Sequence, residues 1–165
     1  MIRIGFGYDM HRLAKDETLI LGGISIAHEL GTVAHSDGDV VIHALCDALL
    51  GSLKLRDIGF HFPDTDAEFK NINSTILLSK TYKLVRDKGY SLGNADITIC
   101  AERPKLNPII PDMEAVLAKC MDSDISKISI KATTSEKIGF VGREEGIAVY
   151  ATVLVMNNKL ASQIV

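Results

Sequence analysis

Apolar residues recur with helical spacing in three segments of the chain. The first predicted helix begins near Asp39, where the following apolar positions lie on one helical face. The second runs from about Ser74 to Lys88 and ends at Gly89, and the third follows Pro111, a residue suited to a first helical turn. These patterns predict three helices with buried faces.

Other segments have the alternating or β-branched character of strands. They cover residues 2–12, 92–101, 127–134 and 146–156, and two short apolar runs around Gly22-Gly23 predict a hairpin. The order of elements predicts an α/β fold, specifically an α+β sandwich with one mixed sheet and helices on one face. Because the last strand is apolar on both faces, the second face of the sheet is expected to pack against another subunit.

Composition favours one globular domain, residues 1–165, and narrows its partners. The chain has 47% hydrophobic residues and a formal charge of −3, with scattered Lys and Arg, which argues against a nucleic-acid partner. The three cysteines show no C-x-x-C spacing and suit reduced thiols. With no signal-peptide pattern or membrane-length apolar run, we expect a cytoplasmic protein without a membrane partner.

Histidine and aspartate occur together in the first strand and the first helix. Asp9 and His11 are two apart in a strand, so their side chains point to the same face and can converge on one ion. On the helix, His43 lies four residues from Asp39 and from Asp47, and this spacing suggests that Asp47 orients the imidazole. The alternatives are a polar surface pair and a solvated, capped helix face.

Three loops carry the remaining candidate chemistry. Residues 56–66 combine aromatic and acidic side chains that could close over a ligand, or could simply form a turn with Asx caps. Residues 102–108 form the second loop. Residues 135–143 follow a strand end, where hydroxyls and backbone amides make an anion cradle or an ordinary cap.

Several blocks of the sequence together resemble one family, the 2-C-methyl-D-erythritol 2,4-cyclodiphosphate synthases of the non-mevalonate isoprenoid pathway. The resemblance extends from residue 3 to about residue 156. Its motifs are GYDMH at 7–11, AHSDGD at 34–39, HALCDAL at 43–49, DIG at 57–59, FPDTD at 62–66 and KATTSEK at 131–137.

The resemblance implies a lyase reaction that needs no protein nucleophile. The substrate would be 4-diphosphocytidyl-2-C-methyl-D-erythritol 2-phosphate, whose 2-phosphate attacks the β-phosphorus, releases CMP and closes a cyclic diphosphate. Positioning and charge neutralisation dominate such phosphoryl transfer. The resemblance also implies a homotrimer, with the sheets facing the trimer axis and the active sites at subunit interfaces.

The resemblance further assigns roles to individual residues. Zn²⁺ would be held by Asp9, His11 and His43, and Mg²⁺ or Mn²⁺ by Glu136, while His35 and Thr134 would stabilise the transition state. The substrate contacts would come from Asp9, His11, His35, Ser36, Asp57, Ile58, Gly59, Phe62, Pro63, Asp64, Thr65, Asp66, Ala101, Glu102, Arg103, Pro104, Lys105, Leu106, Asn107, Thr133, Thr134, Ser135, Glu136, Phe140 and Arg143.

Two other functions use the same residues. A mononuclear zinc phosphohydrolase would activate water at the open metal position. A non-catalytic trimeric protein that binds cytidine nucleotides would use only the cradle around residues 133–136. The chain also departs from the family pattern at Phe6, at Glu102-Arg103 and at Glu144, none of which is an implied zinc ligand.

Overall fold

The computed structural model describes residues 1–63, 65, 66, 69 and 72–161. Its strands are β1 (Ile2–Lys15), β2 (Leu19–Leu21), β3 (Ile24–Ile26), β4 (Leu30–Thr32), β5 (Tyr90–Cys100), β6 (Ile128–Thr133) and β7 (Gly146–Asn157). Its helices are α1 (Val40–Ser52), α2 (Ile58–His61), α3 (Ser74–Asp87), α4 (Ile110–Cys120), α5 (Gly139–Gly142) and α6 (Asn158–Ala161). A 3₁₀ turn, Ile125–Lys127, precedes β6.

Five strands form one mixed sheet in the order β4-β1-β7-β5-β6. Neighbouring strands are antiparallel except β5 and β6, which are parallel. Strands β2 and β3 form a separate hairpin around Gly22-Gly23, as predicted. The α/β fold with a single mixed sheet is therefore confirmed.

Helices cover one face of the sheet. Helix α1 packs on β1 and β7, α3 packs on α1, and α4 packs on α3 and β6. The approach of α1 is close: a Cβ atom at Gly5 would lie 1.8 Å from the carbonyl oxygen of Ala48, and one at Gly7 would lie 2.0 Å from that of Ala44. Only glycine fits there, so these two residues bring the helix down onto the strand.

The opposite face of the sheet carries large apolar side chains in contact with solvent. Ile4 is 69% exposed and Phe6 is 62% exposed. Around them lie the partly exposed rings of Tyr8 and Tyr150, whose centroids are 5.0 Å apart. We call this surface, formed by Ile2, Ile4, Phe6, Tyr8, Met10 and Tyr150, the open face. An apolar surface of this kind typically marks an interaction site.

Two segments predicted as loops contain one-turn helices. Helix α2 lies within 56–66 and begins at Asp57, whose Oδ1 accepts a hydrogen bond from the Phe60 amide at 2.8 Å. Helix α5 lies within 135–143. Four residues are too few to show helical periodicity, so the sequence pattern misses such turns. Among the described residues, no helix is long and apolar enough to span a membrane.

Candidate metal centre and active site

Three potential metal ligands converge where β1 passes the start of α1. Asp9 and His11 point to the helical face of β1, and His43 lies in the first turn of α1. The Nδ1 atoms of His11 and His43 each lie 3.2 Å from Oδ2 of Asp9. All three ligand atoms lie within 4.8 Å of one another. The strand and helix spacings therefore place two imidazoles and one carboxylate around one point.

This arrangement fits a zinc ion. A tetrahedral zinc with ordinary bond lengths separates neighbouring ligand atoms by about 3.4 Å, close to the 3.2 Å between Asp9 Oδ2 and each imidazole nitrogen. Nδ1 of His11 is buried and makes no hydrogen bond within the described part of the chain, so its lone pair is available. Burial also lowers the pKa of His11, which favours the neutral form that binds metals.

Hydrogen bonds hold the imidazole of His43 on both sides. Its Nδ1 faces Asp9, while its Nε2 lies 3.1 Å from Oγ of Ser74 and 3.3 Å from Oγ of Ser36. Burial lowers the pKa of His43, but the hydrogen bond and charge of Asp9, together with the charges of Asp39 and Asp37, raise that pKa above its ordinary value. The ring is thus oriented by residues from three different segments.

The interpretation of Asp47 as the residue that orients His43 is wrong. Oδ1 of Asp47 instead accepts a hydrogen bond of 2.8 Å from the amide of Ile58. Asp47 and His43 are neighbours on the helix surface, but the carboxylate is directed toward α2. Asp47 therefore fastens α2 to α1.

Asp39 and Asp37 do more than cap α1. Oδ1 of Asp39 accepts from the amides of Val41, Ile42 and Gly22, and Oδ2 accepts from the amide of Gly23. Burial raises the pKa of Asp39 to about 6, although the amides of Gly23, Ile42 and Gly22 act in the opposite direction. One buried carboxylate thus joins α1 to the β2–β3 hairpin.

Asp37 is linked to α3, a contact that sequence analysis did not find. Its Oδ2 accepts from the amide of Ser74 at 2.8 Å, and its Oδ1 accepts from the hydroxyl of Ser74 at 2.5 Å. Ser74 was missed because a serine at a helix start is unremarkable in sequence. In the structure, Ser74 is identified as part of the site by its complete burial and by its contact with His43.

A cavity of about 710 Å³ opens beside the metal ligands His11 and His43. Many residues of the predicted substrate site line this cavity, namely His35, Ser36, Ile58, Gly59, Phe62, Thr65 and Asp66. Its other lining residues are Ala34, Phe69, Ile72 and Leu77. Asp57 and Pro63 are not among the residues that line it, and Asp64 lies outside the described residues. The cavity has room for a phosphorylated polyol next to the metal position.

A second cavity, of about 390 Å³, lies at the ends of β5 and β6. It is lined by the residues predicted to hold cytidine, Ala101, Glu102, Pro104, Lys105, Leu106 and Asn107, together with Pro108, Ala132, Thr133 and Thr134. Arg103 is not part of this lining. Its guanidinium binds the carboxylates of Glu144 and Glu29, at 2.8 and 2.9 Å. Two of the departures from the family pattern, Arg103 and Glu144, therefore contact each other.

A side chain of the protein occupies the predicted anion cradle. Oε1 of Glu102 accepts hydrogen bonds from the amide and hydroxyl of Ser135 and from the amide of Lys137, at 2.9, 3.1 and 3.1 Å. The Lys137 and Ser135 amides lower the pKa of Glu102. Oε1 of Glu136 accepts from the hydroxyl of Thr134 at 3.0 Å. The turn after β6 is therefore held by Glu102, and Glu136 remains exposed.

The last two predicted contacts lie beyond this turn. Phe140 is 36% exposed and belongs to α5. The guanidinium of Arg143 binds Glu145 at 2.9 Å.

The two cavities lie at the same end of the sheet but on different strands. His11 pairs with Ile147 of β7, whose neighbour Ala148 pairs with Cys100 of β5, and Cys100 pairs with Thr133 of β6. Three strand spacings separate β1 from β6, about 14 Å. Within the described residues, neither of the two cavities combines the metal ligands with Thr133 and Thr134.

Comparisons with known proteins agree on one activity. The YgbB family profile matches residues 2–156. The 2-C-methyl-D-erythritol 2,4-cyclodiphosphate synthases of Phocaeicola vulgatus and Parabacteroides distasonis are 61% and 62% identical to this chain over 154 residues, which is 93% of this chain and 96% of each relative.

Solved structures give the same result. The Plasmodium falciparum IspF structure in complex with CDP has a TM-score of 0.84 and 36% identity, over 94% of this chain and 96% of that one. The bifunctional IspDF of Campylobacter jejuni has a TM-score of 0.90 and 45% identity; the match covers 94% of this chain but only 42% of the bifunctional protein.

Proposed function

The chain belongs to the YgbB family, and on that premise we propose that it is a 2-C-methyl-D-erythritol 2,4-cyclodiphosphate synthase. It converts 4-diphosphocytidyl-2-C-methyl-D-erythritol 2-phosphate to the cyclic diphosphate and CMP. A new P–O bond forms between the 2-phosphate and the β-phosphorus, and the bond from the β-phosphorus to the CMP oxygen breaks. The enzyme is therefore a phosphorus–oxygen lyase.

The observation that carries this proposal is the cluster of Asp9, His11 and His43 beside the larger cavity. These residues would hold Zn²⁺, and three protein ligands leave one coordination position for substrate. When bound, the metal supplies Lewis-acid polarisation of a phosphate oxygen and neutralises charge. The protein contributes the orientation of the ligands and a cavity that holds the reacting groups in place.

The remaining side chains position the substrate and stabilise its charge. His35 and Ser36 line the cavity beside His43, which suits them to contact the phosphates. We assign the polyol to the region of Ile58 and Gly59. We assign the cytidine to the second cavity, because most of the residues predicted to contact it line that cavity; the P. falciparum relative forms a complex with CDP. Thr133 and Thr134 lie at the edge of that second cavity, next to Glu136, the proposed ligand of Mg²⁺ or Mn²⁺.

A homotrimer would complete the active site. One chain separates the metal ligands from Thr134 and Glu136 by three strand spacings. In the proposed trimer, the β6 end of an adjacent copy would meet the metal-side cavity. The open face provides the apolar surface for this association. We therefore place the open face at the trimer axis and the active sites between neighbouring subunits.

Two further features fit this function. The whole chain, residues 1–165, is interpreted as one catalytic domain, because the described helices pack on one sheet. The three free cysteines are typical of a reducing compartment, which supports a cytoplasmic enzyme.

A product assay tests the proposed reaction directly. Purified protein is incubated with the cytidine substrate, Zn²⁺ and Mg²⁺, and the products are identified by ³¹P NMR and mass spectrometry. We expect equal amounts of CMP and the cyclic diphosphate. A linear hydrolysis product would point to a zinc phosphohydrolase, and binding of CMP or CDP without turnover would point to a nucleotide-binding protein; either result would overturn the proposal.

A further inference from the structure

Ser74 and Asp37 form a hydrogen-bonded chain that ends on the imidazole of His43. The carboxylate of Asp37 accepts hydrogen bonds from both the amide and the hydroxyl of Ser74. Oγ of Ser74 in turn lies 3.1 Å from Nε2 of His43. Ser74 is fully buried, and the side chain of His43 is only 12% exposed. These hydrogen bonds join the loop before α1 and α1 itself to the start of α3, where Ser74 lies 31 residues beyond His43.

The direction of each hydrogen bond follows from the number of protons available. Asp37 also accepts from the amide of Asp39 at 3.3 Å, so its carboxylate faces donors only. The single hydroxyl proton of Ser74 must therefore point to Asp37, since two oxygens at 2.5 Å need a proton between them. Oγ of Ser74 can then only accept from Nε2 of His43.

Ser36 does not reverse this direction. Its Oγ lies 3.3 Å from the same Nε2 and accepts from the amide of Gly38 at 3.2 Å. A proton on Nε2 can be shared between the two hydroxyl oxygens, whereas an unprotonated Nε2 would set its lone pair against that of Ser74 Oγ at 3.1 Å. Both hydroxyls are thus compatible with one tautomer.

We propose that Asp37 and Ser74 are positioning residues that hold His43 in the Nε2–H tautomer and so present the Nδ1 lone pair to the metal beside Asp9. This inference rests on the proposed function, because it takes Asp9, His11 and His43 as the zinc ligands. Residues that fix the tautomer and orientation of a ligating histidine raise metal affinity by about 10- to 100-fold. Neither residue touches the metal, so each acts through His43.

Zinc affinity of the full-length protein tests this inference. The dissociation constant is measured by competition with a chromogenic chelator for the wild type, Ser74→Ala and the matched control Ser52→Ala. Ser52 is also a buried helical serine, but its hydroxyl donates to the carbonyl of Leu49, away from the metal. We expect Ser74→Ala to weaken zinc binding about 10- to 100-fold and Ser52→Ala to leave it unchanged.

Nitrogen NMR of the unmutated protein provides a second measurement. In zinc-loaded, ¹⁵N-histidine-labelled protein, His43 should be protonated at Nε2 and bind the metal through Nδ1, because the metal replaces the proton that Asp9 accepts from Nδ1 in its absence. Protonation at Nδ1, or equal zinc affinity in Ser74→Ala and Ser52→Ala, would overturn the inference while leaving the proposed function intact. Failure of the wild type to bind zinc would instead overturn the proposed metal centre and, with it, this inference.

Discussion

Oδ2 of Asp9 lies 3.2 Å from Nδ1 of His43, although 34 residues separate the two in sequence. The same oxygen lies 3.2 Å from Nδ1 of His11, so one carboxylate oxygen is shared by both imidazoles. His35, by contrast, lines the cavity and is not part of this cluster. The two histidines near the start of α1 should therefore have different roles.

Replacement of these two histidines should separate metal binding from turnover. We expect His43→Ala to lose both zinc and activity, because it removes a ligand. His35→Ala should retain zinc while turnover falls by about 100-fold, as when a donor to transition-state charge is removed. Metal content by atomic emission spectroscopy, measured beside steady-state kinetics, checks both. Full zinc occupancy in His43→Ala would contradict the assignment.

The contact between Asp47 and the Ile58 amide should matter for substrate binding and not for the metal. Asp47→Ala removes the hydrogen bond between α1 and α2. We therefore expect KM to rise about 3- to 10-fold, the change that corresponds to the free energy of one hydrogen bond. Asp47→Asn keeps the acceptor oxygen and serves as the control. Loss of zinc from Asp47→Ala would instead favour an orienting role for this carboxylate toward His43.

A charge on the open face should prevent association. Phe6→Asp places a carboxylate among Ile4, Tyr8 and Tyr150, so we expect trimers to dissociate to monomers and activity to be lost with them. Ile76→Asp is the control, because Ile76 is 47% exposed but lies on α3, on the helical side of the sheet. Sedimentation velocity measures the association state. An active monomer of Phe6→Asp would refute the shared-site proposal.

Asp39 should contribute to stability more than an ordinary helix cap. Asp39→Ala leaves four amides without their acceptor, two of them in the β2–β3 hairpin, so we expect the free energy of unfolding to fall by about 3–5 kcal/mol. Asp124→Ala removes an exposed cap from the 3₁₀ turn and should change stability little. Urea unfolding measures the free energy of unfolding of both variants. An equal decrease in the two variants would show that Asp39 acts only as a helix cap.

Glu102 should affect the second cation through the turn that it holds. Glu102→Ala frees the amides of Ser135 and Lys137, on either side of Glu136, so we expect half-maximal activity to require a higher Mg²⁺ concentration. Glu114→Ala is the control, since Glu114 also accepts a backbone amide, that of Ile130, but lies on α4. A Mg²⁺ titration of activity tests this, and an unchanged midpoint in Glu102→Ala would mean that the turn holds its shape unaided.

Local sequence patterns determined the longer elements and the spacing of the proposed metal ligands. Alternation along β1 places Asp9 and His11 on one face, and the periodicity after Asp39 predicts the helix that carries His43. Strand β7 has apolar residues on both of its faces, which also predicts a sheet face that no helix of the same chain covers. The exposure of Tyr150 agrees with this prediction. These features depend on residues close in sequence, where the period of a strand or helix dictates which side chains share a face.

The tertiary structure alone decided which distant side chains meet. Asp37 binds Ser74 across 37 positions, and Glu102 reaches the turn at 135–137 across at least 33. Asp47 is an example of a contact that sequence spacing predicts wrongly. Its spacing from His43 suggests a contact with that imidazole, but in the fold its carboxylate accepts a hydrogen bond from the amide of Ile58 in α2. Such contacts have no periodic signature: they depend on how helices and strands pack in three dimensions, and only the assembled fold specifies that packing.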